Sequence, residues 1–280
     1  MTIFQDQTFF GERQLFALKN SIIQNVTFGV GESPLKESKN IKISNSVFKW
    51  KYPLWYATDI IVNHSIFEKM ARSGIWYTEN CSIINSTLKS PKLFRHSKQI
   101  TLEHCYFEDA SETLWSCRDV QITNVKAQGD YFGMNSTDIS LNKFHIIGNY
   151  VFDGGKNIEA RDCSFISKDA FWNCKNVYLE DCEIQGEYFG WNTENLQMTN
   201  CTISSNQGLC YIKKLKMKNC RLIETDLAFE YCSDLNVEIN SNVSSIKNPI
   251  SGVIKASHID EIILNDPNID LNQIKIIEND

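Results

Sequence analysis

The chain lacks any apolar run approaching the ~18 residues that a membrane-spanning helix needs, and it has no long basic run and no Cys-x-x-Cys pair. The first absence argues against a membrane span. The second, with a net charge of −6, argues against nucleic acid and anionic membrane surfaces as partners. The third, with no Cys/His ligand spacing, leaves a structural metal without a motif. Met1 to Gly11 has neither a basic n-region nor an apolar h-region, so the expected setting is cytoplasmic rather than exported. No segment holds a helical period, apart from residues 10–20. The five histidines (His64, His96, His104, His145, His258) are scattered outside any triad context.

What is present is a repeat of about 19 residues. Cys163, Cys182, Cys201 and Cys220 recur 19 residues apart, each after an acid or amide: Asp162, Asp181, Asn200 and Asn219. The unit reads Asn/Asp, apolar, x, apolar, x, Asn/Asp, small, x, apolar, as in Asn40 to Phe48 and Asn176 to Ile184. Twelve starts run from Asn20 to Asp234 in steps of 19 to 21. A fixed period of this size means stacked similar units rather than one globular core.

Alternation of apolar and polar residues is strand periodicity. Its phase shifts at the inner Asn/Asp column, which marks a corner, because Asn and Asp tolerate left-handed backbone angles. Stacked Asn side chains can also bond from coil to coil. A second apolar pair falls earlier in each unit, as in Leu54-Trp55 and Phe171-Trp172. The expected fold is all-β: a single-stranded right-handed parallel β-helix, a solenoid of about 12 coils. The competing geometry is a four-faced pentapeptide helix. Its five-residue spacing holds in only half of each unit.

The expected organisation is one domain over 1–280. Residues 1–19 cap the first coil, 20–244 form regular coils, and 245–280 form an irregular carboxy-terminal coil or cap. Within that last part, Ser245 to Gly252 reads as a loop, and Glu261 to Leu264 and Gln273 to Ile277 as late strands. The ten cysteines are read as a reduced core ladder of small apolar fillers, with disulfides as the alternative.

Several segments carry a resemblance: GESPLKES from Gly31, KYPLWY from Lys51, ARSGIWY from Ala71, SKDAFWN from Ser167, GEYFGWN from Gly186 and QGLCY from Gln207. Together they resemble a bacterial domain-of-unknown-function family (number 3737). The resemblance implies a right-handed β-helix of the pectin-lyase-like kind in a bacterial, intracellular setting. It implies no activity and no catalytic residues.

Two columns break the repetition. One, four residues before each start, reads Trp55, Trp76, Arg95, Trp115, Met134, Asp153, Trp172, Trp191, Cys210, Glu230, and holds five of the six tryptophans. The adjoining loop column begins with the bases Lys51, Arg72 and Lys92, and then turns mostly acidic, from Glu112 to Asp226. Outward aromatics beside carboxylates suit sugar binding, since pyranose C–H faces stack on indoles and carboxylates accept hydroxyl hydrogen bonds. Gly129-Asp130-Tyr131-Phe132-Gly133 and Gly186-Glu187-Tyr188-Phe189-Gly190 are near copies.

The catalytic candidates are therefore Asp130, Asp153, Asp169 and Glu187, whose coil spacings bracket those of glycoside hydrolysis. One of two close acids should have a raised pKa. The substrate-binding candidates are Arg72, Trp76, Arg95, Trp115, Tyr131, Trp172, Tyr188 and Trp191. No metal site or cofactor is assigned, and Ca²⁺ shared by the four acids is the alternative. Two classes of function fit. One is a carbohydrate-binding or carbohydrate-active protein, hydrolase or lyase. The other is a non-catalytic binding or scaffold protein that self-associates as a homo-oligomer. Equally, the aromatics can be a ladder buried by loops, and the charges can pair locally, as Lys92 and Glu112 would.

Overall fold

The structure is a computed structural model that describes residues 1–278. Its described elements are β-strands and one short 3-10 turn, Leu271–Gln273. None of its helices is long and apolar enough to cross a membrane. The strands form a parallel β-solenoid of about 15 turns with a spacing near 19 residues. The chain divides into two compact units, Met1–His145 and Ile146–Asp280.

In the first unit, Lys19–Gln24, Lys39–Ser44, Thr58–Asn63, Glu79–Ile84 and Lys98–Glu103 stack in parallel. The register aligns Ile23, Ile43, Val62, Ile83 and Leu102, all buried. After each corner a two-residue strand adds a second inward ladder. There the Phe28 and Phe48 rings stack at 5.0 Å, and the Phe48 and Phe67 rings at 4.6 Å. In the second unit, Lys156–Arg161, Lys175–Glu180, Glu194–Thr199 and Lys213–Ile223 stack likewise and align Ala160, Leu179, Met198 and Met217. The core is thus a column of like residues, because each coil repeats the pattern of the one before it.

The corners are left-handed. Asn40, Asn45, Asn176, Asp181, Asn195 and Asn200 have φ between 49° and 59°. That conformation costs most L-residues about 1–2 kcal/mol, and Asn and Asp visit it most readily. Their amides then bond along the column, Asn195 to Asn176 at 2.9 Å and Asn219 to Asn200 at 2.7 Å. A further left-handed column, including Tyr56, Tyr77, His96, Asn173 and Asn192, has no single residue type, and the sequence pattern does not mark it.

The serine and cysteine positions share one geometry. Ser46, Ser65 and Ser86 donate to the carbonyl two residues earlier at 2.7–2.9 Å. Cys163, Cys182, Cys201 and Cys220 do the same at 3.1–3.4 Å. The small side chain turns back onto its own corner. All ten cysteines are free and buried.

The structure adds turns at both ends to the twelve read from the sequence. Thr2–Gln5, expected within a cap, pairs in register with Ser21–Gln24. At the other end, Ser245 to Lys247 belongs to the strand Leu235–Lys247 rather than to a loop, and Gly252–Ile263 and Ile274–Glu278 follow as further strands. The register shifts between Met217 and Cys220, and again between Ile239 and Asn242. Those bulges erase the 19-residue phase. The last two residues of the expected 245–280 segment lie outside the described residues.

Candidate functional site

The tryptophan column is a stack of planar groups. In the first unit the Trp55 and Trp76 rings lie 5.4 Å apart at 10°. Arg95 takes the next place, its guanidinium 4.9 Å from the Trp76 ring and 4.2 Å from the Trp115 ring. A planar cation replaces an indole there and gains cation–π attraction. Glu112 holds it in place, 2.6 Å from Arg95 and 3.1 Å from Lys92. Lys51 pairs with Glu32 at 3.3 Å. Arg72 is exposed, as are Asp130 and Tyr131.

In the second unit Trp172 and Trp191 stack at 5.6 Å and 12°. Tyr150 stands edge-on to Trp172, and Tyr188 and Tyr211 stand inclined to Trp191. The column rings are half-buried with neighbours along the stack.

Each indole N–H is also engaged. Trp55 donates to the Ser73 carbonyl, Trp76 to Lys92 at 2.9 Å, Trp115 to Tyr131 at 2.6 Å, Trp172 to Tyr188 at 2.5 Å and Trp191 to Gln207 at 2.9 Å. Every acceptor lies 16–18 residues on, in the loop of the following coil. The tryptophans are latches between successive loops. The need of a half-buried indole for an acceptor is the signal that could have found these bonds.

The doubled Gly-acid-Tyr-Phe-Gly motif has a matching structural cause. Phe132 and Phe189 are core residues. Gly133 and Gly190 both have φ of 75°. A Cβ at Gly186 would fall 1.9 Å from the Ser167 carbonyl oxygen. The motif therefore brings a loop directly against the preceding coil.

The four acids differ in setting. Asp130 belongs to the first unit; Asp153, Asp169 and Glu187 belong to the second. Asp153 accepts from Asn173 at 2.9 Å and starts an amide ladder that continues to Asn192 at 2.8 Å. Glu187 is exposed, 3.6 Å from Lys168, and Lys168 lies over the Tyr188 ring at 5.6 Å.

Asp169 is only 1% exposed. Its carboxylate accepts from the Tyr150 backbone N–H at 3.2 Å, and the Tyr150 side chain bonds it too. Burial pushes its pKa up, against the lowering effects of Tyr150 and Lys168; repulsion from Asp153 adds little. A raised acid was expected from crowding, but desolvation is its main cause. Among the described residues no three His, Cys, Asp or Glu side chains converge as metal ligands.

A different surface of the second unit brings mixed chemistry together. The register aligns Glu159, Tyr178 and Gln197 in one outward row, and Arg161, Glu180 and Thr199 in the next. All six line one shallow depression. Arg161 and Glu180 pair at 3.2 Å. Asn195 donates to the Tyr178 hydroxyl at 3.3 Å and accepts from Gln197 at 3.1 Å. Tyr178 stays 39% exposed. Alternation marks these positions as outward without distinguishing them, because every polar strand residue reads alike.

Solved structures of similar fold include PfbA, a surface adhesin of Streptococcus pneumoniae, at 9% identity and a TM-score of 0.36, covering 93% of this chain and 81% of that chain. The A-module of mannuronan C-5 epimerase AlgE4 from Azotobacter vinelandii matches at 9% identity and 0.30, covering 93% and 79%. The catalytic domain of a GH87 alpha-1,3-glucanase matches at 9% and 0.29, covering 98% and 64%. Likeness at this level carries no inference about activity. No curated protein matches the chain in sequence. A family model described as protein of unknown function (DUF3737) matches residues 2–277.

Proposed function

The chain belongs to the DUF3737 family, and we propose that it is a non-catalytic binding protein whose ligand is a saccharide held on the outward strand face of the second unit. The observation that carries this reading is the aligned grid of Glu159, Tyr178 and Gln197 beside Arg161, Glu180 and Thr199. An exposed aromatic ring offers a face for sugar C–H groups. Carboxylates, an amide, a guanidinium and a hydroxyl around it can exchange hydrogen bonds with ring hydroxyls. Asn195 fixes both Tyr178 and Gln197, so little side-chain freedom is lost on binding.

The tryptophan column supports this choice by contrast. Its rings have ring or guanidinium neighbours, and its N–H groups are engaged. Asp169 is buried against Tyr150, where a substrate oxygen would have to displace the loop to reach it. These residues serve the stacking of the coils.

The test is a panel of neutral and acidic oligosaccharides titrated into the protein by calorimetry. The same mixtures are assayed for new reducing ends and unsaturated products. The reading expects binding without products. Turnover that is lost in an Asp169→Asn, Glu187→Gln double variant would overturn it in favour of an enzyme.

A further inference from the structure

We propose that the strand Lys213–Ile223 makes the saccharide surface of the second unit selective for acidic sugars, its lysines holding the carboxylates of a uronate chain; the inference rests on the strand-face reading above. The strand differs from its neighbours in charge. Lys213, Lys214, Lys216, Lys218 and Arg221 all belong to it, and it carries no acid. Each of the strands stacked before it, Lys156–Arg161, Lys175–Glu180 and Glu194–Thr199, includes a glutamate. All five cations are exposed. Among the described residues none of them lies in an ion pair. Like charges held on one strand repel one another, and a bound anion relieves that repulsion.

The register sets two of these lysines beside the shallow depression around Tyr178. Gln197 aligns with Lys216, and Thr199 with Lys218. One outward row is therefore Glu159, Tyr178, Gln197 and Lys216, and the next is Arg161, Glu180, Thr199 and Lys218. Strands of a sheet lie about 4.8 Å apart, so Lys216 stands about 10 Å from Tyr178 along the stack. In the second row Arg161 and Glu180 pair at 3.2 Å, which leaves Lys218 as the charge without a partner. Lys213 aligns with Glu194, so the cations free to meet a ligand on this face are Lys216 and Lys218. On the following coil Lys216 aligns with the neutral Asn236, and Glu238 aligns with Lys255.

An acidic saccharide matches this distribution of charge. One sugar ring stacks on Tyr178, and its hydroxyls donate to Glu159 and Glu180. The rings that follow along the stack place carboxylates on Lys216 and Lys218, where charge-assisted hydrogen bonds form. A neutral saccharide would leave both lysines without a partner. A nucleic acid carries a charge on every nucleotide, and its phosphates would meet Glu159, Glu180 and Glu194 on the adjoining strands. The ligand that fits is uncharged over the glutamate coils and anionic over the lysine coil.

The experiment is calorimetric titration of a galacturonate hexamer, a mannuronate hexamer and the carboxyl-reduced counterpart of each into the full chain, at low and high salt. A single-stranded oligonucleotide is the polyphosphate control. One variant combines Lys216→Gln with Lys218→Gln. A second combines Lys42→Gln with Lys126→Gln, exposed lysines of the first unit that change the net charge equally. The third is Tyr178→Ala. The expected result is that at least one uronate binds tenfold or more tighter than its reduced counterpart at low salt. The margin should narrow at high salt, because exposed charges are screened. Lys216→Gln with Lys218→Gln should bring the uronate down to the affinity of the reduced sugar and leave the reduced sugar unchanged. Lys42→Gln with Lys126→Gln should match the wild type, and Tyr178→Ala should weaken both sugars. Equal affinity for uronate and reduced sugar in the wild type overturns the inference and leaves the strand-face reading standing. Binding of no sugar at all overturns both. A uronate preference indifferent to Lys216→Gln with Lys218→Gln overturns the inference alone, and so does an oligonucleotide that binds more tightly than either uronate.

Discussion

At the residue scale, the decisive property of Asp169 is where its proton resides. A carboxyl whose pKa is raised by burial binds its proton more tightly in the folded chain than in the unfolded one. Its contribution to stability is therefore fully present below the unfolded value of 3.8 and is lost as pH rises through the raised folded value. Asp169→Asn keeps an acceptor for the Tyr150 N–H without the charge. Melting curves between pH 3 and 8 should show that the variant declines less with rising pH than the wild type. Parallel curves for the two would mean that Asp169 is not a desolvated acid. Trp172 gives a second prediction. Trp172→Phe keeps a ring in the stack and loses the bond to the Tyr188 carbonyl, a cost of about 1 kcal/mol. Trp172→Ala also loses the ring, for about 2–4 kcal/mol given its partial burial. Denaturant midpoints measure both, and equal losses would leave the stacking without weight.

At the scale of the element, the corner is the unit of construction. Asn200 has φ of 55° and bonds Asp181 below and Asn219 above. Asn200→Ala should cost about 1–2 kcal/mol, mostly from the left-handed backbone. Asn200→Gly should cost less, because glycine adopts that conformation freely. The reverse order, read from chemical denaturation, would make the amide ladder the larger effect. The thiol columns give a complementary readout. Burial pushes Cys81, Cys117 and Cys210 up to about 12 and Cys105 to about 11. Thiolate is the reactive form, so an aromatic disulfide reagent at pH 8 should titrate these four cysteines only after denaturation. The corners and the inward columns were legible because they repeat: Asn, Asp, Ser and Cys recur at fixed spacing for fixed geometric reasons. The turns from Asn242 onward were not, because a bulge moves the phase by a residue while leaving the strands paired.

At the scale of the whole chain, repetition explains what sequence could and could not reveal about function. A column that departs from its consensus stands out, so the tryptophans and their neighbouring charges stood out in the sequence as candidates. In the structure Arg95 departs because a guanidinium can take an indole's place between two rings, and Glu112 departs to pair with it. Tyr178 was silent for the opposite reason: an outward strand position tolerates almost any polar or aromatic residue, and its meaning comes from what the register sets beside it. The most direct measurement is calorimetric titration of the best-binding oligosaccharide into the wild type, Tyr178→Ala and Trp172→Phe. The strand-face reading predicts that Tyr178→Ala weakens binding at least tenfold, the ~1.4 kcal/mol scale of a lost ring contact, while Trp172→Phe binds like the wild type. Unchanged affinity in Tyr178→Ala, with a loss in Trp172→Phe, would contradict it and return the ligand to the tryptophan column.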